Sequence, residues 1–307
     1  MKKMIKHFID INDFSKKELD LILNQAKEIK DKQKKYKDIM NNKSLGLLFQ
    51  KESTRTRLSF TIGMQKLGGS AIELELKKIG FGKRESEEDI LKTLSQYLDC
   101  LIIRNNDHNK IKHFASLNLI PIINGLSNFT HPCQILSDIF TLKEVFGDIK
   151  NRTVCWIGDY NNVLRSLIQI QSKYLFNLNV VLPKKILDNF KLQINNIKNK
   201  NIYFTNDVKK GVVKSDCLMT DVWISMGENN SNKKNYFKKY QINNNIIKLA
   251  KKNAVFMHCL PAHRGEEVSN EVIDSSQSIV WIQAKNRIYV QQAILKYIIL
   301  DQKIIKS

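Results

Sequence analysis

Short apolar runs alternate with amphipathic helical segments along the whole chain, and this alternation constrains the fold more than any other feature. A first helix is predicted over about residues 15–35, where Ser15 and Glu18 form a capping box ahead of apolar residues at helical spacing. The apolar run Leu45–Phe49 follows and predicts a buried strand. Strands that alternate with helices are typical of α/β folds with mainly parallel sheets.

The same alternation continues towards the carboxyl terminus. A helix is predicted after Ser53, ending near Gly68, and residues 227–246, polar and rich in Asn and Lys, predict a mobile loop. Further strands are predicted at 71–76, 100–104, 121–124, 153–157, 180–182, 218–220 and 254–257, and further helices at 87–98, 132–146, 162–174 and about 284–300.

The length of 307 residues and a break in composition at 147–151 indicate two domains. We expect residues 1–147 and 148–307 to form them, each with a mainly parallel sheet flanked by helices. In such sheets ligands bind at the carboxyl ends of the strands. Candidate site residues are therefore those that directly follow the predicted strands.

The formal net charge of +20 suggests nucleic acid as a partner, but the kind of basic residue argues against it. Of 50 basic residues only eight are Arg, and the Lys residues are spread through the chain. Lys is the poorer residue for bidentate recognition of phosphate or bases. The apolar stretches are far shorter than the roughly 20 residues of a membrane span, and no secretory signal is seen. We expect neither nucleic acid nor a membrane as a partner.

Five cysteines, at 100, 133, 155, 217 and 259, are widely spaced and form no C-x-x-C pair. This pattern favours reduced thiols in a cytoplasmic protein over a disulfide framework or a zinc site. The six histidines are scattered and make no H-E-x-x-H motif. We expect no metal and no cofactor.

The strongest functional motif is S-T-R-T-R, directly after the predicted strand Leu45–Phe49. The strand delivers the chain to a helix N-terminus, where backbone N–H groups and the helix dipole favour an anion. Ser53, Thr54 and Thr56 add hydroxyl donors, and Arg55 is suited to grip phosphate oxygens. The motif predicts a phosphate site. Arg57 has the alternative of a structural ion pair, because it lies later in the helix.

Two further donors are predicted near the phosphate site. In the segment H-P-x-Q, Pro132 suits the first turn of a helix, which places His131 and Gln134 at the mouth. A neutral His that donates to a carbonyl oxygen would polarise it, and Gln would orient an amide. Arg104 ends another strand and is a third convergent donor. Alone, H-P-x-Q is also compatible with a capping or core histidine.

The second half of the chain carries residues suited to an amino-acid substrate. The turn Gly158–Asn162 offers amides for a carboxylate, and Asp221, after another strand, offers an anion for an ammonium group. Cys259 follows a third strand in the segment H-C-L-P. Near Arg and helix N-termini its thiol could serve as a proton acceptor, although a buried structural thiol is the alternative.

Taken together, S-T-R-T-R, H-P-x-Q, D-x-W-x-S-M-G and H-C-L-P, in this order over essentially the whole chain, resemble the carbamoyltransferase family, and within it the members that act on ornithine. The resemblance implies a carbamoyl-phosphate domain followed by an ornithine domain, with the last helix, about 284–300, packing back on the first domain. It also implies that three subunits assemble into a ring and that no cofactor is needed.

The resemblance also assigns roles to single residues. Catalytic roles fall to Cys259, as proton acceptor, and to Arg104 and His131. Carbamoyl phosphate would be held by Ser53, Thr54, Arg55, Thr56, Arg104, His131, Gln134, Cys259, Leu260 and Arg287. Ornithine would be held by Asn162, Asp221, Ser225 and Met226.

One position departs from the family pattern. Many bacterial relatives carry Gln just before an apolar-Gly pair, where it reaches carbamoyl phosphate in the neighbouring subunit, and here that position is Gly80. The contact is either lost or taken over by Lys83 or Arg84. Two alternatives stay open: a carbamoyltransferase acting on putrescine or an acylated ornithine, and, from another class, a basic nucleic-acid-binding protein.

Overall fold

The computed structural model describes residues 5–51, 53–75, 85–224 and 233–301 of the chain. The chain folds into two compact units, one formed by Met1–Phe140 together with Asn286–Ser307 and the other by Thr141–Lys285. Among the described residues, no helix combines the length and the apolar character needed to cross a bilayer.

The first part of the chain alternates strands and helices up to the end of α6. A short 3-10 helix, Ile11–Asp13, precedes α1. The elements that follow are α1 (Lys16–Asp31), α2 (Gln33–Tyr36), β1 (Ser44–Phe49), α3 (Thr54–Lys66), β2 (Ser70–Leu74), α4 (Glu87–Tyr97), β3 (Cys100–Arg104), α5 (His108–Ser116), β4 (Ile122–Leu126) and α6 (Pro132–Phe146).

The four strands of the first unit form one parallel sheet in the order β2-β1-β3-β4. The chain places β2 on one side of β1 and then returns to place β3 on the other side. The carboxyl ends of β1 and β3 are therefore neighbours, with Phe49 paired to Arg104. This reversal of strand order is the position at which open α/β sheets bind ligands.

The second part of the chain repeats the alternation. Its elements are β5 (Thr153–Ile157), α7 (Asn162–Tyr174), β6 (Asn177–Val181), α8 (Lys184–Asn189), α9 (Lys191–Asn195), β7 (Ile202–Thr205), α10 (Val208–Val212), β8 (Cys217–Thr220), α11 (Lys234–Phe237), a 3-10 helix (Lys238–Tyr240), α12 (Asn244–Ile247), β9 (Val255–His258), α13 (Asn270–Ile273) and α14 (Val280–Ile299).

The five strands of the second unit form a parallel sheet in the order β7-β6-β5-β8-β9. Strand order reverses between β5 and β8, so the carboxyl ends of these two strands are neighbours. On the other side of β8, Thr220 is paired to His258 of β9. The residues that directly follow β5, β8 and β9 thus meet at one edge of the sheet.

The structure confirms the predicted fold class, with two parallel sheets flanked by helices. The predicted mobile loop at 227–246 is wrong for its described part, because α11, a 3-10 turn and α12 lie there. The buried side chains of Phe237 and Tyr240 explain the difference, since they tie this polar segment to the core. Helix α5 was also not predicted, although its buried residues His108, Ile111, Phe114 and Ala115 recur at helical spacing.

The carboxyl-terminal part of α14 belongs to the first unit. Gln292 of α14 donates to the carbonyl oxygen of Gly63 in α3, and the Tyr297 hydroxyl donates to Glu18 of α1 at 2.8 Å. Glu18 is also the residue that closes the predicted capping box with Ser15, which the structure confirms. One carboxylate therefore fixes the start of α1 and links it to the last helix.

Candidate active site

The N-terminus of α3 is built from the predicted S-T-R-T-R segment. Ser53 is the N-cap residue, but its side chain makes no capping hydrogen bond. Instead its buried hydroxyl accepts a hydrogen bond from Nη1 of Arg104 at 2.7 Å. This contact joins the residues that follow β1 and end β3, as the neighbouring strand ends require. The positive end of the α3 helix dipole and the guanidinium group of Arg104 thus lie at the same edge of the sheet. This arrangement favours the binding of an anion.

A second arginine reaches the same helix from the other end of the chain. Nη2 of Arg287, in α14, donates to the hydroxyl oxygen of Thr56 at 2.8 Å, and both side chains are buried. A buried guanidinium must be compensated by hydrogen bonds, and the Thr56 hydroxyl supplies one of them. The predicted site residues Ser53, Thr56 and Arg104 are thus brought together with Arg287.

His131 lies in the positive field of these arginines. Burial, followed by the charges of Arg287, Arg104 and Arg55, holds the pKa of His131 well below its ordinary value of 6.5. The imidazole is therefore neutral at physiological pH and donates from one ring nitrogen without adding charge. Such a neutral donor is suited to polarise a carbonyl oxygen.

The remaining residues of the phosphate motif differ in their surroundings. Thr54 is exposed and Arg55 is half-buried, whereas Gln134 is buried and donates from Nε2 to Asp138 at 2.8 Å. The Oε1 atom of Gln134 has no hydrogen-bond partner among the described residues. Arg57 forms an ion pair with Glu73 at 3.1 Å. This is the structural ion pair that the sequence offered as the alternative role for Arg57.

In the second unit, the residues that follow β5, β8 and β9 meet at Asp221. The buried carboxylate of Asp221 accepts a hydrogen bond from Nδ2 of Asn161 at 2.8 Å and another from the Cys259 thiol at 3.0 Å. Oδ1 of Asn161 accepts from the backbone N–H of Val163 and of Leu164, which caps α7. The sequence analysis missed the contact of Asn161 with Asp221 and assigned the neighbouring Asn162, which is half-buried. The position of Asn161 at the N-cap of α7 was the feature of the sequence that could have indicated this residue.

The turn that carries Cys259 is held by a buried pair that the sequence analysis also missed. Nε2 of His258 lies 3.0 Å from Oε1 of Glu267, and Nδ1 of the same ring accepts the backbone N–H of Leu260 at 2.8 Å. Leu260 has a positive φ of 58°, a conformation that a leucine rarely adopts. The histidine therefore stabilises a strained backbone beside the thiol.

Two predicted ornithine contacts, Ser225 and Met226, lie outside the described residues, as do Gly80, Lys83 and Arg84. Leu260 and Cys259 belong to the second unit, and the other predicted carbamoyl-phosphate contacts to the first. Two clusters in the described part of the chain have side-chain atoms close enough to hold a cation: Asp221, His258 and Cys259, and His263, Glu266 and Glu267. In both clusters, carboxylate oxygens already accept hydrogen bonds from the protein.

Comparison with known families identifies the class of protein that these sites define. The model of the aspartate/ornithine carbamoyltransferase carbamoyl-P binding domain matches residues 6–144, and that of the Asp/Orn binding domain matches residues 150–298. The fold and the two domain matches are those of a carbamoyltransferase. The chain belongs to the aspartate/ornithine carbamoyltransferase family.

Individual relatives agree over nearly the whole length. The ornithine carbamoyltransferases of Ruthia magnifica and Brucella suis are 42% and 41% identical, covering 96% and 97% of this chain and 100% and 97% of their own. Among solved structures, the ornithine carbamoyltransferase of Thermus thermophilus aligns with a TM-score of 0.86 at 34% identity, covering 97% of this chain and 100% of its own. That of Pyrococcus furiosus gives 0.87 at 37%, covering 96% and 97%.

Proposed function

We propose that this protein transfers the carbamoyl group of carbamoyl phosphate to the δ-amine of L-ornithine, giving L-citrulline and phosphate. The observation that carries the proposal is that Arg104 and Arg287 donate to Ser53 and Thr56 at the start of α3. The charges of Arg287, Arg104 and Arg55 also lower the pKa of the nearby His131. Such a site suits a doubly charged phosphate joined to a carbonyl group. The relatives at 41–42% identity named ornithine carbamoyltransferase support the choice of acceptor.

In this proposal the first unit supplies most of the carbamoyl-phosphate site. The side chains at the start of α3 bind phosphate oxygens, while His131 and Arg104 donate to the carbonyl oxygen. The unpartnered Oε1 of Gln134 is suited to accept a hydrogen bond from the carbamoyl amide. The full proposed set is Ser53, Thr54, Arg55, Thr56, Arg104, His131, Gln134, Cys259, Leu260 and Arg287.

Ornithine binds through the second unit, at Asn162, Asp221, Ser225 and Met226. The δ-amine of ornithine has a pKa near that of Lys, about 10.4, so it must lose a proton before it attacks. The thiol of Cys259 donates to Asp221, which makes them a pair that shares one proton. We assign proton uptake to this pair: the Cys259 sulfur accepts the proton of the δ-ammonium while the thiol proton passes to the Asp221 carboxylate.

The chemical step then follows from these positions. The neutral δ-nitrogen adds to the carbonyl carbon, and Arg104 and His131 stabilise the oxygen that gains charge. The C–O bond to phosphate breaks, its electron pair leaves with the phosphate, and the phosphate stays in the site of Arg55. The nitrogen passes its remaining extra proton to the departing phosphate, and citrulline is released. No cofactor or metal takes part.

We also propose that residues 1–147 form the carbamoyl-phosphate domain and residues 148–307 the ornithine domain, apart from the last helix. Three subunits assemble into a ring, which light scattering of the purified protein would measure as a mass three times that of the chain. A cytoplasmic location is supported by the five free cysteines, since thiols persist in reducing compartments.

An assay with a panel of amines tests the proposed reaction. Purified protein is given carbamoyl phosphate with ornithine, putrescine, N-acetylornithine or aspartate, and ureido product is measured. We expect ornithine to give by far the highest kcat/KM, and Asp221→Asn to lose most of it. Preference for putrescine or acetylornithine would replace the proposed acceptor, and no product with any amine would contradict the reaction.

A further inference from the structure

A buried set of hydrogen-bonded side chains includes Thr130, the residue directly before His131, and takes no part in the proposed ligand contacts. It consists of Asp10, His108, Asn124, Ser127 and Thr130, and is called here the Asp10–His108 network. All five side chains are buried, with at most 6% of any residue exposed. The burial of polar groups is unfavourable unless hydrogen bonds compensate for their desolvation.

The centre of the network is the ring of His108. Its Nε2 lies 3.1 Å from Oδ2 of Asp10, and its Nδ1 lies 2.8 Å from the hydroxyl oxygen of Ser127. Burial alone would raise the pKa of Asp10, but the hydrogen bonds from His108 and Thr130 outweigh it and hold the pKa below its ordinary value. Asp10 is therefore an ionised acceptor, so the proton of the ring lies on Nε2. The Ser127 hydroxyl, which contacts Nδ1, also donates to the carbonyl oxygen of Thr130 at 3.3 Å.

The other half of the network holds the loop between β4 and α6. The hydroxyl of Thr130 donates to Oδ1 of Asp10 at 2.6 Å and accepts from Nδ2 of Asn124 at 3.1 Å. The hydroxyl oxygen of Ser127 accepts the backbone N–H groups of Phe129 and Thr130 at 3.2 and 3.1 Å. Hydrogen bonds therefore hold the side chains of both Ser127 and Thr130 in this loop. The residue that follows Thr130 is His131.

Asp10 is itself held in place by backbone pairing with β4. The N–H of Phe8 donates to the carbonyl oxygen of Ile122, and the N–H of Asn124 donates to the carbonyl oxygen of Phe8, both at 2.8 Å. Asn124 also donates from Nδ2 to the carbonyl oxygen of Ile9 at 3.0 Å. The amino-terminal segment therefore brings a fixed carboxylate to a loop that is distant in sequence.

We propose that the Asp10–His108 network is a positioning device that sets the ring of His131 for polarising the carbonyl oxygen of carbamoyl phosphate. The inference rests on the proposed function. A donor must be held within about 0.5 Å of its productive position to act at full strength, and loops are the least rigid places for it. Buried hydrogen-bond networks supply that rigidity, and among the described residues every polar side-chain atom of this network except Oδ1 of Asn124 has a partner. The residues of the network position His131 without contacting substrate.

The sharpest single change is Thr130→Val, which removes one hydroxyl and keeps the shape of the side chain. We expect kcat to fall about tenfold, since a misplacement near 1 Å costs up to about a hundredfold, while KM for ornithine stays unchanged. Thr130→Ser keeps the hydroxyl and should restore most of kcat. A KM increase for ornithine as large as the loss of kcat, or no rescue by Ser, would overturn the proposal.

Two histidines of the same helix provide a matched comparison. His108→Ala should lower kcat, whereas His113→Ala, at an exposed position of α5, should leave it unchanged. If His108→Ala does not fold, as judged by circular dichroism, Ser127→Ala removes the hydroxyl partner of the ring and tests the same contact. Equal kcat for the wild type and for folded variants at positions 108, 127 and 130 would overturn the proposal.

A double-mutant cycle separates positioning from a general structural effect. In a His131→Gln background, Thr130→Val should cause no further loss of kcat, because the group that it positions is already gone. Additive losses would show that Thr130 acts by another route and would overturn the inference. Failure of the proposed function gives a different result, because the wild-type protein itself would then form no citrulline.

Discussion

At the scale of single residues, the contrast between arginine and lysine is the informative feature of this chain. Lysines supply most of the +20 charge, yet the cations that act on His131 are the three arginines Arg55, Arg104 and Arg287. A planar guanidinium forms two parallel hydrogen bonds to a phosphate, and it loses less hydration on burial than an ammonium. The site therefore requires arginine, whereas the charged surface does not.

Arg55→Ala is expected to lower kcat/KM for carbamoyl phosphate by about a thousandfold or more, because a cation in a phosphate site is removed. The matched control is Arg57→Ala, two residues further along α3, where the side chain pairs with Glu73 and is 42% exposed. The control should change activity little. Steady-state kinetics with varied carbamoyl phosphate measures both, and equal effects of the two changes would refute the assignment of Arg55.

Cys259→Ala is expected to lower kcat by about a hundredfold and to change its pH dependence, because the proton acceptor is lost while Asp221 remains. The thiol is half-buried, so the fold should survive. Cys155→Ala, at a fully buried position of β5, is the control and should reduce stability without changing the pH profile. A wild-type pH profile for Cys259→Ala would remove this residue from the mechanism.

At the scale of elements, both units place their polar residues where strand order reverses. In the first unit Ser53 and Arg104 meet after β1 and β3, and in the second Asn161 and Asp221 meet after β5 and β8. Neighbouring parallel strands end at the same edge of the sheet. Side chains that follow these strands therefore lie close together although they are distant in sequence. Short helices such as α10 then cover the sheet through close contacts.

One such contact gives a stability prediction. Gly211 of α10 lies so close to β6 that a Cβ added there would be 2.1 Å from Cγ2 of Val181. Val has a stiff side chain, so Gly211→Ala should lower the free energy of unfolding by about 1–3 kcal/mol. Adding Val181→Ala creates space, and the double variant should be less destabilised than the sum of the single changes. Urea unfolding measures all three, and simple additivity would contradict the packing argument.

At the scale of the whole molecule, buried histidines make stability depend on pH. Burial lowers the pKa of His7 from 6.5 to about 4, and burial together with the arginines lowers that of His131. The unfolded chain binds protons at these residues near pH 6.5, while the folded chain does not. The folded state therefore binds fewer protons below pH 6.5, and its stability falls as the pH is lowered.

Acid unfolding provides the corresponding measurement. Between about pH 6.5 and 4 the free energy of unfolding should decrease, and His7→Gln should make that decrease shallower. His113→Gln, at an exposed position, is the control and should leave the slope unchanged. Glu18 acts in a lower range, because its pKa of about 2 makes its stabilisation disappear only below pH 4.5. Identical slopes for wild type and His7→Gln would contradict the prediction.

The sequence by itself determined the fold class of this protein and predicted its phosphate site. Helical and strand periods, the S-T-R-T-R segment after a buried strand and the Ser15–Glu18 capping box all depend on residues close together in sequence, so they are legible before any folding is known. The short helices in 233–247 were not predicted, because their stability comes from buried side chains such as Phe237 and not from a local sequence pattern.

Only the tertiary structure decided which distant residues meet. Arg287 and Thr56 are 231 positions apart, and Asp221 and Asn161 are 60 positions apart, yet each pair shares a hydrogen bond. These meetings depend on the order of strands in each sheet and on the return of the last helix, which are set by the burial of apolar faces over the whole chain. A local sequence pattern does not specify that strand order. The contacts that build the sites could therefore be identified only in the folded structure.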